Sequence, residues 1–180
     1  KTRPAILMHL IAIAEQVNYM DKIVSDLQTF VKPVEFYKQE VNLKQLVMSV
    51  LAQISIPQSI LTNLHIDSTL IMNTDPQLLK RVLINLITNA VQAMPEGGNL
   101  DIKAQTNDIE HVEIVVEDTG TGIPDEIKPK IFTPLFTTKS KGQGFGLAAC
   151  KRVIEAQGGT ITFESQQGKG TKFILSLPRD

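Results

Sequence analysis

Asn85 and Asn89 stand four residues apart in Asn85-Leu-Ile-Thr-Asn89-Ala-Val-Gln-Ala-Met94, a spacing that stacks both carboxamides on one helix face. A solvated face usually carries Lys and Glu, whereas asparagine is a poor helix former kept mainly where its amide is used. The carbonyl oxygen of Asn89 suits a hard cation such as magnesium, which fills its shell with water and phosphate oxygens. Further on, Val115-Val-Glu-Asp118-Thr-Gly120-Thr-Gly122-Ile123 closes a β-branched run with a carboxylate and two glycines. Asp118 is placed to accept a hydrogen bond from an exocyclic amine, and Gly120 and Gly122 allow a sharp turn with room for a flat ligand. In Lys141-Gly142-Gln-Gly144-Phe145-Gly146-Leu147, glycines precede an apolar periodic run, at a helix N-terminus where N–H groups and the dipole favour phosphate. Neither the dinucleotide fingerprint nor the P-loop spacing is present. Taken singly, the segments have ordinary readings, a solvated helix face and a tight turn; together they describe a nucleotide site.

The elements that must position these residues follow from pattern. Asp75-Pro76 is a helix start, an acceptor at the cap and a proline where no N–H is needed. Leu78, Leu79, Val82, Leu83, Leu86, Ile87, Ala90 and Met94 form the apolar face, with Arg81, Asn85, Asn89 and Gln92 along the other. Strands are expected over 100–106, 112–117, 160–165 and 171–177, and a helix carrying Leu147, Ala148, Cys150, Val153 and Ile154 after the glycines. A linker over 32–42 leads to a helix near 43–54. At the start of the chain Ile6, Leu10, Ile13, Val17, Met20, Val24, Leu27 and Val31 alternate at four and three residues, the seam of a coiled coil or helix bundle, and Lys32-Pro33 ends it.

The order Asn85-x-x-x-Asn89-Ala90, Asp118-x-Gly120-x-Gly122, Phe132-x-x-x-Phe136-Thr-Thr-Lys139, Gly142-x-Gly144-x-Gly146-Leu147 and Gly168-x-Gly170-Thr171-x-Phe173 resembles the ATP-binding domain of a sensor histidine kinase of two-component signalling. The resemblance covers essentially the whole chain. It implies an α/β fold, a two-layer sandwich with helices on one face of a mixed sheet, preceded by a long N-terminal helix. Residues 1–33 would be the second helix of the dimerisation hairpin, in part, and 34–180 the catalytic ATP-binding domain. The resemblance also implies roles: Asn89 on magnesium with Asn85 assisting, and Asp118 on the adenine amino group. Gly120 and Gly122 would admit the ring, Gly142, Gly144 and Gly146 would wrap the phosphates, and Ile123, Phe145, Leu147 and Thr171 would belong to the binding set. Residues 123–143 would be the ATP lid, pinned by Phe132 and Phe136, with Lys139 reaching either a phosphate or solvent. The sequence departs from the usual pattern at Phe145, where leucine is common, and at Gln92, where many relatives are basic.

Gyrase-type and chaperone-type members of the same superfamily have a glutamate where this chain has Asn85. An amide accepts no proton at neutral pH, so water is not activated and the γ-phosphoryl group is kept for transfer. The transfer would go to a histidine on a hairpin helix absent from this chain, for relay to the aspartate of a response regulator receiver domain, in a homodimer formed through the N-terminal helix. His9 is followed by Leu-Ile-Ala and lacks the acceptor motif, while His65 and His111 fall in or beside strands. An anti-sigma-type serine kinase shares the ATP fold but not the heptad arm, and a nucleotide-gated interaction module without transfer is a different class.

Composition sets the remaining bounds. The 180 residues carry a net charge of −1 and one cysteine, Cys150, which gives no nucleic-acid footprint, no metal site built on cysteine pairs, and a core cysteine in a reducing, cytoplasmic setting. No apolar run reaches membrane-spanning length, and the chain reads as a fragment of a longer protein whose membrane attachment is left open.

Overall fold

The computed structural model describes residues 34–107, 110–138 and 144–180, together with 8–11, 13, 14, 16, 17, 20, 21 and 24. In chain order the elements are β1 (Gln39–Asn42), α1 (Leu43–Leu51), β2 (Ile60–Ile66), β3 (Ile71–Thr74), α2 (Pro76–Ala93), β4 (Gly98–Thr106), β5 (His111–Asp118), a single 3-10 turn (Lys128–Lys130), α3 (Gly146–Ala156), β6 (Thr160–Gln166) and β7 (Gly170–Pro178). Five strands form one sheet in the order β2-β4-β5-β7-β6, and β1 and β3 form a separate antiparallel pair. The sheet is mixed, since β2 runs parallel to β4 while every other neighbour is antiparallel.

Alternation divides the sheet into a dry and a wet face. Leu100, Ile102, Val112, Ile114, Val116, Leu175 and Leu177 are buried on the dry one, beneath Leu79, Leu83, Leu86 and Ile87 of α2 and Val153 and Ile154 of α3. Each such side chain stabilises the fold by about 1.5–3 kcal/mol. The wet face is laced by cross-strand pairs, Lys103 with Glu117 at 3.1 Å and Lys172 with Glu164 at 3.4 Å. The two-layer α/β sandwich is therefore the observed architecture, and Cys150 lies in its core.

The four expected strands are present within about two residues of their anticipated ends. The linker over 32–42 is not wholly a linker, because Gln39–Asn42 pairs with β3, burying Val41 and Met72. The helix expected to reach residue 54 ends at Leu51; the N–H groups of Gln53 and Ile54 bond carbonyls three residues back, those of Val50 and Leu51, which tightens the last turn ahead of Pro57. Strand β3 was not foreseen, and of β2 only a strand in or beside His65 was, without bounds: Ile-Leu-Thr-Asn-Leu-His-Ile has no clean alternation, and its place at the sheet edge comes from parallel pairing with β4. Leu10, Ile13, Val17, Met20 and Val24 of the N-terminal seam are helical and exposed. Ile6, Leu27, Val31 and Lys32-Pro33 lie outside the described residues.

Candidate functional site

The helix that carries the asparagine pair is fixed at its start. Asp75 Oδ1 accepts from the N–H groups of Gln77 (2.9 Å) and Leu78 (3.0 Å), and its Oδ2 accepts from the Tyr37 N–H at 2.9 Å. Gln157, buried just past the end of α3, accepts from the Thr74 hydroxyl at 2.8 Å and the Asp75 N–H at 3.2 Å. One polar cluster therefore ties the beginning of α2 to the end of α3. Leu86, Ile87 and Ala90 then face the core, which leaves Asn85 and Asn89 half-buried on the opposite stripe, with Gln92 exposed beyond them.

Asn85 meets the start of α3. A β-carbon placed on Gly146 would lie 2.6 Å from Asn85 Oδ1, so glycine lets that helix N-terminus pass the amide without the Asn85 side chain turning aside. Asn42 caps α1 and Asp75 caps α2 with side-chain oxygens, whereas the N-cap residue of α3, the buried Phe145, supplies no side-chain cap. A helix N-terminus presents N–H donors and a positive dipole end to an anion. Leu147 and Gly144 flank this point, half-buried. Lys139 and Gly142 lie outside the described residues.

Asp118 stands at the other end of α2, the eight-residue rise from Asn85 to Ala93 covering about 12 Å. It is the last residue of β5, on the dry face, and only 6% exposed. Burial raises its carboxyl above the usual aspartate range, against the opposing pull of the Gly120 and Thr171 backbone N–H groups and with a small push from the charge of Glu117. The Gly120 N–H lies 2.8 Å from Asp118 Oδ1. Thr171 is its direct partner across β7, so the two side chains share one face. Gly120 and Gly122 are required for a reason other than ligand room: a β-carbon on Gly120 would strike the Ala93 carbonyl, and one on Gly122, at φ +67°, the Gln166 carbonyl.

The turn after Asp118 is pinned by distant partners. The Thr119 N–H bonds Asn99 O, the Thr121 N–H bonds Ala93 O, and the Thr121 carbonyl receives the Gly168 N–H. The Ile123 N–H donates to Ser165 Oγ at 2.8 Å, and that hydroxyl also lies 2.9 Å from Gly170 O and 3.0 Å from Thr171 Oγ1. Sequence reasoning missed Ser165, although the series Ile161, Phe163, Ser165 ends an inward-facing run on a polar residue, which is a readable signal. It also missed Gln157, which no motif marks. Beyond Ile123, the loop returns to the body through buried Ile131 and through Phe132, whose ring stands edge-on to Phe163 at 5.8 Å. Phe136 is half-buried, and the backbone of Leu135 and Phe136 presses against Gly144.

Residues 74–180 match the family described as "Histidine kinase-, DNA gyrase B-, and HSP90-like ATPase". The chain is 36% identical over 171 residues to the sensor histidine kinase ZraS of Salmonella typhimurium, covering 92% of this chain and 37% of that protein. It is 38% identical over 173 residues to sporulation kinase A of Bacillus subtilis, covering 93% and 28% respectively. It thus spans roughly a third of the length of these curated relatives. Among solved structures, the catalytic domain of histidine kinase ThkA superposes with a TM-score of 0.72 at 34% identity, covering 80% of this chain and 97% of that one. ThkA in complex with the response regulator TrrA gives 0.77 at 30% identity, covering 94% and 50%.

Proposed function

Because the chain belongs to the histidine kinase, gyrase and HSP90-like ATPase family, as a histidine-kinase catalytic ATP-binding domain, we propose that it binds magnesium ATP and passes the γ-phosphoryl group to a histidine on a hairpin helix. Residues 34–180 are the catalytic unit and 1–33 part of the dimerisation hairpin. The phosphoryl group then moves to the aspartate of a response regulator receiver domain, a reading that the ThkA complex with TrrA supports. The setting is the cytoplasm, in a homodimer assembled through the N-terminal helix.

One observation carries this reading: a single helix, α2, links a buried carboxylate at one end to an amide at the other, beside a helix N-terminus whose cap residue, Phe145, supplies no side-chain acceptor. Asp118 receives the adenine amino group, with Thr171 beside it and Gly120, Gly122 and Ile123 shaping the turn that borders the base. The N–H groups of α3 from Gly146 and Leu147, with Gly142, Gly144, Phe145 and Lys139, gather the phosphates. The donor chemistry fits magnesium, since Asn89 offers a hard neutral oxygen on the half-buried stripe and Asn85 adds a second; the ion would neutralise phosphate charge. Asn85 and Asn89 position rather than abstract protons, because an amide has no basic site for water. In phosphoryl transfer, positioning and electrostatics supply most of the rate.

The test is incubation with magnesium [γ-32P]ATP. The chain alone binds nucleotide, turns it over slowly and stays unlabelled; added in trans, a full-length kinase with a dead ATP site becomes labelled on its own hairpin histidine. Acid-labile phosphate on His9 of the chain alone would overturn this account.

A further inference from the structure

We propose that Ser165 sets the hydrogen-bond polarity of Thr171 and, through it, makes the base end of the site prefer a purine bearing a 6-amino group over one bearing a 6-oxo group. The inference rests on the nucleotide reading above and adds a specificity-determining residue to it. Three partners surround the Ser165 hydroxyl: the Ile123 N–H at 2.8 Å, Gly170 O at 2.9 Å and Thr171 Oγ1 at 3.0 Å. A serine hydroxyl has one proton and two lone pairs. Ile123 brings its own proton. The Gly170 carbonyl brings none, so that contact closes only with the serine proton. The contact with Thr171 must then use the threonine proton, and this is the one assignment that satisfies all three.

The consequence lies on the other side of Thr171. Its hydroxyl has given up its only proton and turns to the site as an acceptor. Beside it, in direct register across the sheet, stands Asp118, which as a carboxylate is also acceptor-only. Both side chains are 6% exposed, so neither can turn to bulk water for a substitute partner. Two adjacent buried acceptors accept a ligand edge that carries N–H donors. They oppose one that carries a carbonyl oxygen, because that leaves buried groups facing like groups. Ser165 touches no ligand in this account; it acts by consuming the threonine proton.

The discriminating measurement is the ratio of dissociation constants for magnesium ADP and magnesium inosine diphosphate, by calorimetry. In Ser165→Ala the Thr171 hydroxyl is released and can rotate to donate toward a 6-oxo group, so the preference for ADP falls about fivefold, the size of one neutral hydrogen bond. Ser165→Thr keeps the hydroxyl and keeps the wild-type ratio. In a Thr171→Val background Ser165→Ala produces no further change in the ratio, a non-additivity that a loosened hairpin alone would not give. An S165A ratio equal to wild type in a folded protein overturns the proposal. A neutron structure of the nucleotide-free protein decides the proton assignment separately: deuterium between Ser165 and Gly170 O supports it, and the Ser165 deuterium on Thr171 Oγ1 overturns it. Failure of the wild-type chain to bind either diphosphate would instead sink the nucleotide reading, with the proton positions still deciding the role of Ser165.

Discussion

The turn over 118–123 and the loop over 124–138 are neighbours in sequence but are built by opposite means. In the first, hydrogen bonds reach across the fold: Thr119 to Asn99, Thr121 to Ala93, Ile123 to Ser165, and Gly168 back to Thr121. In the second, the N–H groups of Ile127, Lys130, Thr133 and Phe136 each bond a carbonyl three residues back, and the tip residue Leu135 is 70% exposed at φ +66°. Distant bonds make a segment as stable as the elements it joins, whereas local bonds leave it free to open without disturbing them. On the reading proposed above, the contrast teaches that the base end of the site is preformed, while the segment proposed as the lid is anchored at its root by Ile131 and Phe132 and touches the body again where Leu135 and Phe136 meet Gly144.

Breaking the rigid side should have the largest effect. Gly170 sits at φ +110°, and a β-carbon there would strike the Asp118 carbonyl, so a methyl group meets both an unfavourable backbone and the strand that carries Asp118. Gly170→Ala should lower unfolding free energy by about 3 kcal/mol in urea titration, from backbone strain plus a displaced strand pair. Gly168 supplies the control. It too has positive φ, +78°, but a β-carbon there meets nothing within 4 Å, so Gly168→Ala should cost only about 1 kcal/mol. Equal losses would mean that the close packing around Asp118 adds nothing.

Next comes the charge that this packing buries. Asp118→Asn keeps an oxygen for the Gly120 N–H but replaces a charged acceptor, and nucleotide affinity should fall by on the order of 1.5–3 kcal/mol in calorimetry. Stability should move the other way. The folded carboxyl titrates above its ordinary value because burial disfavours the charge. Its stabilising contribution is therefore fully present below the unfolded value and is lost as pH rises through the folded one. At neutral pH D118N is consequently at least as stable as the wild type. Nucleotide affinity of the wild type should decline on acidification toward that raised value while the variant's affinity stays flat. A wild-type pH profile as flat as the variant's would remove Asp118 from the site.

The flexible side is sharpened by amide exchange. Adding magnesium ADP should slow exchange over 124–138 several-fold and leave 119–123 nearly unchanged, because the latter is already held by partners outside the loop. Equal protection of the loop with and without nucleotide would contradict its assignment as a lid.

How much of this was legible beforehand depends on the range of the interaction. Asp75, Pro76 and the apolar stripe of α2 are local signals, and they located the helix with its asparagine pair. The strand before Asp118 was visible because β-branched residues and a glycine turn occur together. The bounds and partner of edge strand β2 were not, since its pairing with β4 lies in no feature of Ile60–Ile66 itself. The glycines show the same limit: Gly120 and Gly122 stood out in the sequence, but that they pack against Ala93 and Gln166 depends on elements far along the chain. Gln157, an ordinary glutamine at a helix end, becomes significant only when α2 and α3 are seen to share it.

The smallest expected effect comes from Leu135. A leucine in the left-handed region is strained by about 1–2 kcal/mol, and this one is too exposed to recover much of that by burial. Leu135→Gly removes the strain but adds freedom to the unfolded chain worth about 0.4–1 kcal/mol, so the variant should be more stable than the wild type by about 0.5 kcal/mol. Exchange over 119–123 should not change at all, because none of the distant bonds that hold that turn involves the loop tip. The same substitution at a well-packed leucine of α2, Leu86→Gly, would remove a fully buried side chain from the core and should prevent folding. If Leu135→Gly destabilised the protein by as much as about 1 kcal/mol, the loop tip would have to be packed in solution, and the division between a preformed base end and a root-anchored cover would fail.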